Sequence, residues 1–255
     1  MPGCGIVSPG DALRVSTHTW WRRAATTTAL IIAAVLPVAS TPAIADPAPR
    51  PAPAPAPELR PAEAAFGTVP LKLPEPPSEA VARAELAGLH IAAPHSMNGY
   101  SRAKFPHWIK QYGECDTREV VLARDGEDVK QDEKCRAISG TWFSEYDAKV
   151  FHVSGQLDID HIVPLANAWR SGADEWTTPE RRAFANDLVH AQLIAVSASS
   201  NRQKGDQSPD QWSPPRHAYW CTYARAWTDV KHLYHLNITE PEKDKLTEML
   251  DTCEQ

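Results

Sequence analysis

Apolar residues fall along this chain in three regimes. From Ala29 to Ala39 they run almost unbroken as ALIIAAVLPVA, from Asp46 to about Ser78 they are scattered among prolines, and from residue 79 onward they recur with helical or strand periods. In the third regime, Ser78 caps a predicted helix reaching about Leu89, and Asp116 with Glu119 makes a capping-box pattern ahead of REVVLARDG. CRAISGTWFSEYDAKVFHVSG, rich in aromatic and β-branched residues and broken at Gly140 and Gly155, predicts a meander that leads into DIDHIVPLANAW. Thr178 with Pro179 starts a short helix ending near Asn186, LIAVS (193–197) predicts a strand, and Ser197 caps a helix that Gly205 stops. The chain closes with two helix patterns, RHAYWCTYARAWTDVKHLYHL and TEPEKDKLTEMLDTC, the second opened by Thr239, Pro241 and Glu242. They predict an antiparallel hairpin turning near Asn237.

The first regime is too short to cross a membrane, which takes roughly 20 apolar residues. Arg22 and Arg23 precede it and Ala43-x-Ala45 follows, so residues 1–45 read as a signal peptide and an exported protein is expected. No second span and no cysteine near the cut offers an anchor. Residues 46–78, as in DPAPRPAPAPAPELRP, lose amide donors to proline and favour extended backbone, which reads as a disordered, semi-rigid linker without chemistry. Residues 79–255, roughly 175, suit one domain.

Cys4 leaves with the leader, and Cys115, Cys135, Cys221 and Cys253 remain, an even number suited to an oxidising compartment. Three pairings are possible. Short excursions of chain favour Cys115 with Cys135 and Cys221 with Cys253, and the terminal hairpin brings the latter two face to face. A zinc site is the rival, without CxxC spacing to support it. The net charge of −6 argues against a broad basic field for nucleic acid, while leaving room for a few cations at one cleft.

The concentrated chemistry lies in DIDHIVPLANAW, where Asp158, Asp160 and His161 stand together, and in NRQKGD, which holds Asn201 and Lys204. An imidazole of near-neutral pKa can take a proton from an attacking water, and a carboxylate with an amide oxygen offers hard ligands to Mg²⁺. The set fits metal-assisted hydrolysis of a phosphodiester. One geometric objection stands: neighbours on a regular strand face opposite ways, so irregular backbone is expected near residues 160–164, where Pro164 cannot join a ladder.

DIDHIVPLANAW, FANDL and LIAVSASSNRQKGD, three blocks in order, resemble the HNH, or ββα-metal, endonucleases. The likeness is greatest to a secreted bacterial family sharing its domain with the C-terminal part of GmrSD-type restriction enzymes, and extends to the HNH domain of RNA-guided CRISPR effector nucleases. It covers most of residues 95–255, including GYSRAKFPHW, with a motif core at 158–215. The resemblance implies an α+β fold: a ββα-metal core with added packing helices and the C-terminal hairpin. It implies His161 as general base, Asp160 and Asn201 as metal ligands, Asn186 as a brace for the loop between the strands, and Lys204 beside the scissile phosphate. Asn201 in place of a third histidine favours Mg²⁺ or Mn²⁺ over zinc, and disulfides stand where many members have zinc knuckles. The expected protein is a monomeric, secreted nuclease for DNA, and possibly RNA, with little sequence preference, leaving 5′ phosphates. The alternatives are a non-catalytic wall-associated or nucleic-acid-binding module with this fold, and hydrolysis of another phosphodiester.

Simpler readings stand beside these. Asp158 reads as a turn or supporting group. His95, His107, His152, His190, His217, His232 and His235 are left out of catalysis. Trp108, Trp169, Trp176, Trp212, Trp220 and Trp227 read as packing residues rather than base-stacking platforms. Arg170, Arg181, Arg182, Arg202 and Arg216, each a surface charge alone, can together form a local basic strip.

Overall fold

The computed structural model describes residues 73–254; the expected signal peptide, 1–45, and residues 46–72 of the expected linker lie outside the described residues. The packed body starts before the expected boundary at 79. Leu73 sits against the core, and Arg225 donates to the carbonyls of Pro76 (2.7 Å) and Pro77 (2.6 Å).

In chain order the elements are α1 (Glu79–Gly88), β1 (Lys110–Tyr112), β2 (Cys115–Asp116), α2 (Thr117–Asp125), β3 (Gly126–Gln131), β4 (Ala137–Ser144), β5 (Lys149–Phe151), β6 (Leu157–His161), α3 (Leu165–Ala168), α4 (Thr178–Ala185), β7 (Leu193–Ser197), α5 (Ala198–Lys204), α6 (Trp220–Leu233) and α7 (Glu240–Leu250). Helix starts follow the capping residues. Ser78 accepts from Val81 N–H, Ser197 from Ser200 N–H, and Thr239 with Glu242 closes a reciprocal capping box. Asp116 caps α2, yet Glu119 does not turn back to it; its carboxylate accepts the Ala137 N–H at 2.9 Å and so ties α2 to β4. For α4 the cap is Thr177, one residue earlier than expected, with Glu180 completing the box.

Three separate antiparallel sheets form among the described residues: β1–β2, β3–β4–β5 and β6–β7. The meander gains β3, whose sequence GEDVKQ has no apolar alternation and is mostly exposed. Its place is set instead by close approach. A Cβ on Gly126 would lie 2.5 Å from Trp142 Nε1, whose indole N–H bonds the Leu122 carbonyl at 2.8 Å, so only glycine lets the ring lie beneath the strand.

The β6–β7 pair carries the candidate chemistry. Its register is regular from Leu157 opposite Ser197 to His161 opposite Leu193. The expected irregularity therefore starts at Ile162, one residue past the motif's histidine. There Ile162 N–H bonds the Gln192 carbonyl and Gln192's carboxamide bridges to Val163, so hydrogen bonding continues while the strand bends away. The connection back to β7 is helical: α3, a π-type turn over Trp169–Ala173, and α4. Helix α5 follows β7 directly and packs on both strands.

Pleating sends the two faces of β6–β7 into different cores. Leu157, Ile159, Leu193 and Ala195 meet α2 and Trp142 in one cluster. Ile194 and Val196 join the larger cluster built by α1, α6 and α7 around Trp227, Tyr223 and Met249. Trp169 and Trp227 are buried and Trp176, Trp212 and Trp220 pack against this cluster, as expected of packing residues. The terminal helices form the expected hairpin, pinned by a buried Lys231–Glu242 pair at 2.9 Å. Both disulfides join the expected partners, Cys115 with Cys135 and Cys221 with Cys253. No described helix is long and apolar enough to cross a membrane.

The Cys221–Cys253 link spans 32 residues. Replacing both by serine is expected to lower stability by about 3 to 4 kcal/mol, the loop-closure entropy for that length. Urea denaturation checks this; an unchanged midpoint would mean that the hairpin is held by its packing alone.

Candidate active site

Strand β6 ends with Asp160 and His161 facing opposite sides, and each side chain has its own surroundings. Asp160 points toward α5 and the larger core and is 4 % exposed. Its Oδ2 accepts from Tyr146 Oη at 2.5 Å and Lys204 Nζ at 2.6 Å, while Oδ1 accepts from no described residue. Burial pushes the carboxyl up from the ordinary range, and the Lys204 ammonium pulls it back.

Lys204 is fully buried, and its three ammonium hydrogens are accounted for by Asp160 Oδ2, the His161 carbonyl (2.7 Å) and the Ile162 carbonyl (3.0 Å). It lies beneath the site. The expected place beside a scissile phosphate is therefore not where the structure puts it; the ammonium serves as counter-ion to Asp160 and anchors the end of β6.

His161, 4 % exposed, lies on the other face. Its Nε2 is 3.0 Å from the Ala185 carbonyl, and because a carbonyl only accepts, Nε2 carries the hydrogen and Nδ1 keeps a lone pair. The ring stacks on Trp108, with centroids 5.5 Å apart and planes at 26°. Trp108 is thus half-buried against the site rather than wholly in the core. Burial depresses the imidazole to a pKa of about 3, well below the near-neutral value expected; the Ala185 bond opposes the shift, and the charges of Arg102, Lys204 and His107 add to it.

A pocket of about 210 Å³ opens at the strand end and is lined by Asp160, His161, Asn201, Tyr100 and Arg102 among others. Asn201, on α5, donates Nδ2 to Asp158 Oδ2 at 3.3 Å, and no described residue donates to its Oδ1. Asp158 thereby orients Asn201 and meets Arg202 at 3.6 Å, the supporting role expected of it. No group of three or more His, Cys, Asp or Glu is placed to hold a metal among the described residues. The donor types still fit Mg²⁺: a carboxylate residue, Asp160, and a carboxamide residue, Asn201, line the same pocket, and this ion keeps most of its waters and takes few protein ligands.

Asn186 caps the end of α4 one residue after the carbonyl that holds His161. Its carboxamide is fully engaged, donating to Pro106 O and Arg182 O (2.7 Å each) and accepting from Thr117 Oγ1 (2.7 Å) and Ile109 N–H (3.2 Å). It acts as a brace and does not reach the pocket.

Three of the five arginines expected to form a basic strip are engaged within the protein. Arg170 pairs with Asp206 and Arg216 with Glu145, while Arg181 donates to the carbonyls of Lys104, Ala173 and Trp176. The cation that lines the pocket is Arg102, exposed, with Nε 3.4 Å from His107 Nε2. Its signal in the sequence is membership of GYSRAKFPHW, ahead of the motif core. Tyr146 and the Ala185 carbonyl had no such signal.

Residues 111–249 match the family described as GmrSD restriction endonucleases, C-terminal domain. A protein of Arthroderma benhamiae, described as an uncharacterized secreted protein, is 51% identical over 187 residues, which cover 72% of this chain and 92% of that one. This relative is fungal, which corrects the expectation of a bacterial family. No solved structure matches the chain.

The depressed His161 pKa carries a signed consequence for stability. The unfolded imidazole titrates near 6.5 and the folded one near 3, so between these values the unfolded chain binds more protons and stability falls as pH falls. One such group contributes a slope of at most about 1.4 kcal/mol per pH unit. The stability difference between wild type and His161→Asn, from urea titrations at pH 7 and 4.5, is expected to shift against the wild type at the lower pH. A difference independent of pH would mean that the imidazole titrates normally.

Proposed function

The chain belongs to the family of the GmrSD restriction endonuclease C-terminal domain, and on that premise we propose that it is a secreted, metal-dependent HNH endonuclease. Its substrate is DNA, with RNA a second polymer carrying the same phosphodiester bond. The single observation that carries the reading is the placement of His161, whose Nε2 lies 3.0 Å from the Ala185 carbonyl beside a pocket lined by Asp160, Asn201 and Arg102. The protein is secreted, as its fungal relative is described, and its two disulfides suit that location.

His161 Nδ1 accepts the proton of an attacking water. The imidazole is in its base form across the physiological range, and an anionic phosphate entering the pocket raises its low pKa toward useful basicity. Arg102 at the pocket wall attracts the phosphate and offsets charge that develops on its oxygens. Asp160 and Asn201 would hold Mg²⁺ or Mn²⁺, which when bound supplies Lewis-acid stabilisation of the leaving 3′ oxygen. Lys204 fixes the Asp160 carboxylate so that Oδ1 stays toward the pocket. In-line attack with a 3′ leaving oxygen leaves 5′ phosphates on the products. Cleavage with little sequence preference is expected.

The test is nicking of supercoiled plasmid by residues 46–255 with Mg²⁺, with Mn²⁺ and with EDTA. Wild type is expected to nick only with the ion; His161→Ala loses on the order of 10²- to 10⁴-fold in rate, and Arg102→Ala on the order of 10- to 100-fold in kcat/KM. Absence of nicking by folded, oxidised protein with either ion would favour a non-catalytic nucleic-acid-binding module. Nicking that survives His161→Ala would remove the histidine from its role.

A further inference from the structure

We propose that Trp108 is the positioning residue for the His161 imidazole, and that Asn186 acts on the ring through it; this rests on the reading of His161 as general base.

Trp108 has φ of +57°, in the left-handed region that bulky residues rarely adopt. Backbone held in such a state persists where its surroundings over-determine it. Here they do so from both flanks. Asn186 Nδ2 donates to the Pro106 carbonyl, two residues before Trp108, and its Oδ1 accepts the Ile109 N–H, one residue after. Thr117 doubles the second tie, donating its N–H to the Ile109 carbonyl at 3.0 Å while its hydroxyl goes to Asn186 Oδ1. His107 closes the first flank with Nδ1 2.8 Å from the Phe105 carbonyl. One carboxamide thus fixes the turn whose tip carries the indole.

The indole stacks on His161 face toward face, with centroids 5.5 Å apart and planes inclined by 26°. The imidazole is then held at its edge by the Ala185 carbonyl and on its face by a ring clamped by the next residue, Asn186. An edge hydrogen bond alone leaves the ring free to tilt about that bond; a flat wall removes the tilt and keeps the Nδ1 lone pair in one direction. Small misplacements of a reacting group cost large factors in rate. A tryptophan serving packing alone has no need of a left-handed backbone that lays it on the base.

The experiment compares wild type, Trp108→Phe, Trp108→Leu and Asn186→Ala in two readouts: ¹⁵N–¹H correlation of the His161 ring without substrate, and kcat and KM for plasmid nicking. Wild type and Trp108→Phe are expected to show a single Nε2–H tautomer and kcat within about 3-fold of each other. Trp108→Leu keeps apolar bulk without a flat face; it is expected to show a second or exchange-broadened ring species, with kcat lowered on the order of 10-fold and KM within about 2-fold. Asn186→Ala gives the same ring signature. A folded Trp108→Leu with unchanged ring signals and kcat overturns the proposal, as does an effect confined to KM. If Trp108→Leu does not fold, Trp108→Phe decides: retained ring signals with retained kcat support positioning, and lost kcat with unaltered ring signals overturns it. The ring spectra need no turnover, so a wild type that does not nick removes the nuclease reading while the clamp is still judged on its own.

Discussion

A carboxylate can be buried in this fold only because an ammonium is buried with it, and the Asp160–Lys204 pair sets the geometry of everything around the pocket. Removing two charges from water is costly unless each is also hydrogen bonded. Lys204 therefore takes the carbonyls of His161 and Ile162 as its remaining acceptors, and Tyr146 supplies a second donor to Asp160. Those carbonyls are turned toward α5 at the point where β6 leaves the ladder. The pair thus fixes the distance between strand and helix and the residue at which the strand stops. It also leaves one oxygen of Asp160 for the pocket.

The pleat of β6 imposes the complementary division. Asp160 shares its side with the larger core, whereas His161 belongs to the side of Trp108 and α4. The strand does not distort to bring them together. The pocket instead wraps the open end of the strand, where His161 is the last paired residue and Arg102 and Asn201 approach from different segments. Two neighbours in sequence reach one cavity because the cavity is placed past the last rung of the ladder.

What the sequence made legible follows from how local each feature is. Ser78, Ser197 and Thr239 signal helix starts because a cap needs only the next three residues, and α5 stops at Gly205 because only its positive φ is required there. The disulfides are legible because short loops close readily. Strand β3 is not legible, since its place depends on the close approach of Trp142 to its own Gly126, and the strand is mostly exposed. Lys204 shows its charge in the sequence but not its direction. Trp108, Tyr146 and Arg102 join the site through contacts between segments far apart in the chain, and a residue's letter carries no record of such a contact.

The connection from β6 to β7 has a consequence in time. The helices of that connection separate the two strands in sequence, so the pairing is long-range and carries the loop-closure entropy of the whole connection. The pocket draws on segments from Tyr100 to Asp206, and the loop that braces it runs into Cys115. An unpaired chain carries every one of these residues without having assembled them. Whatever chemistry the pocket carries belongs to the paired chain alone.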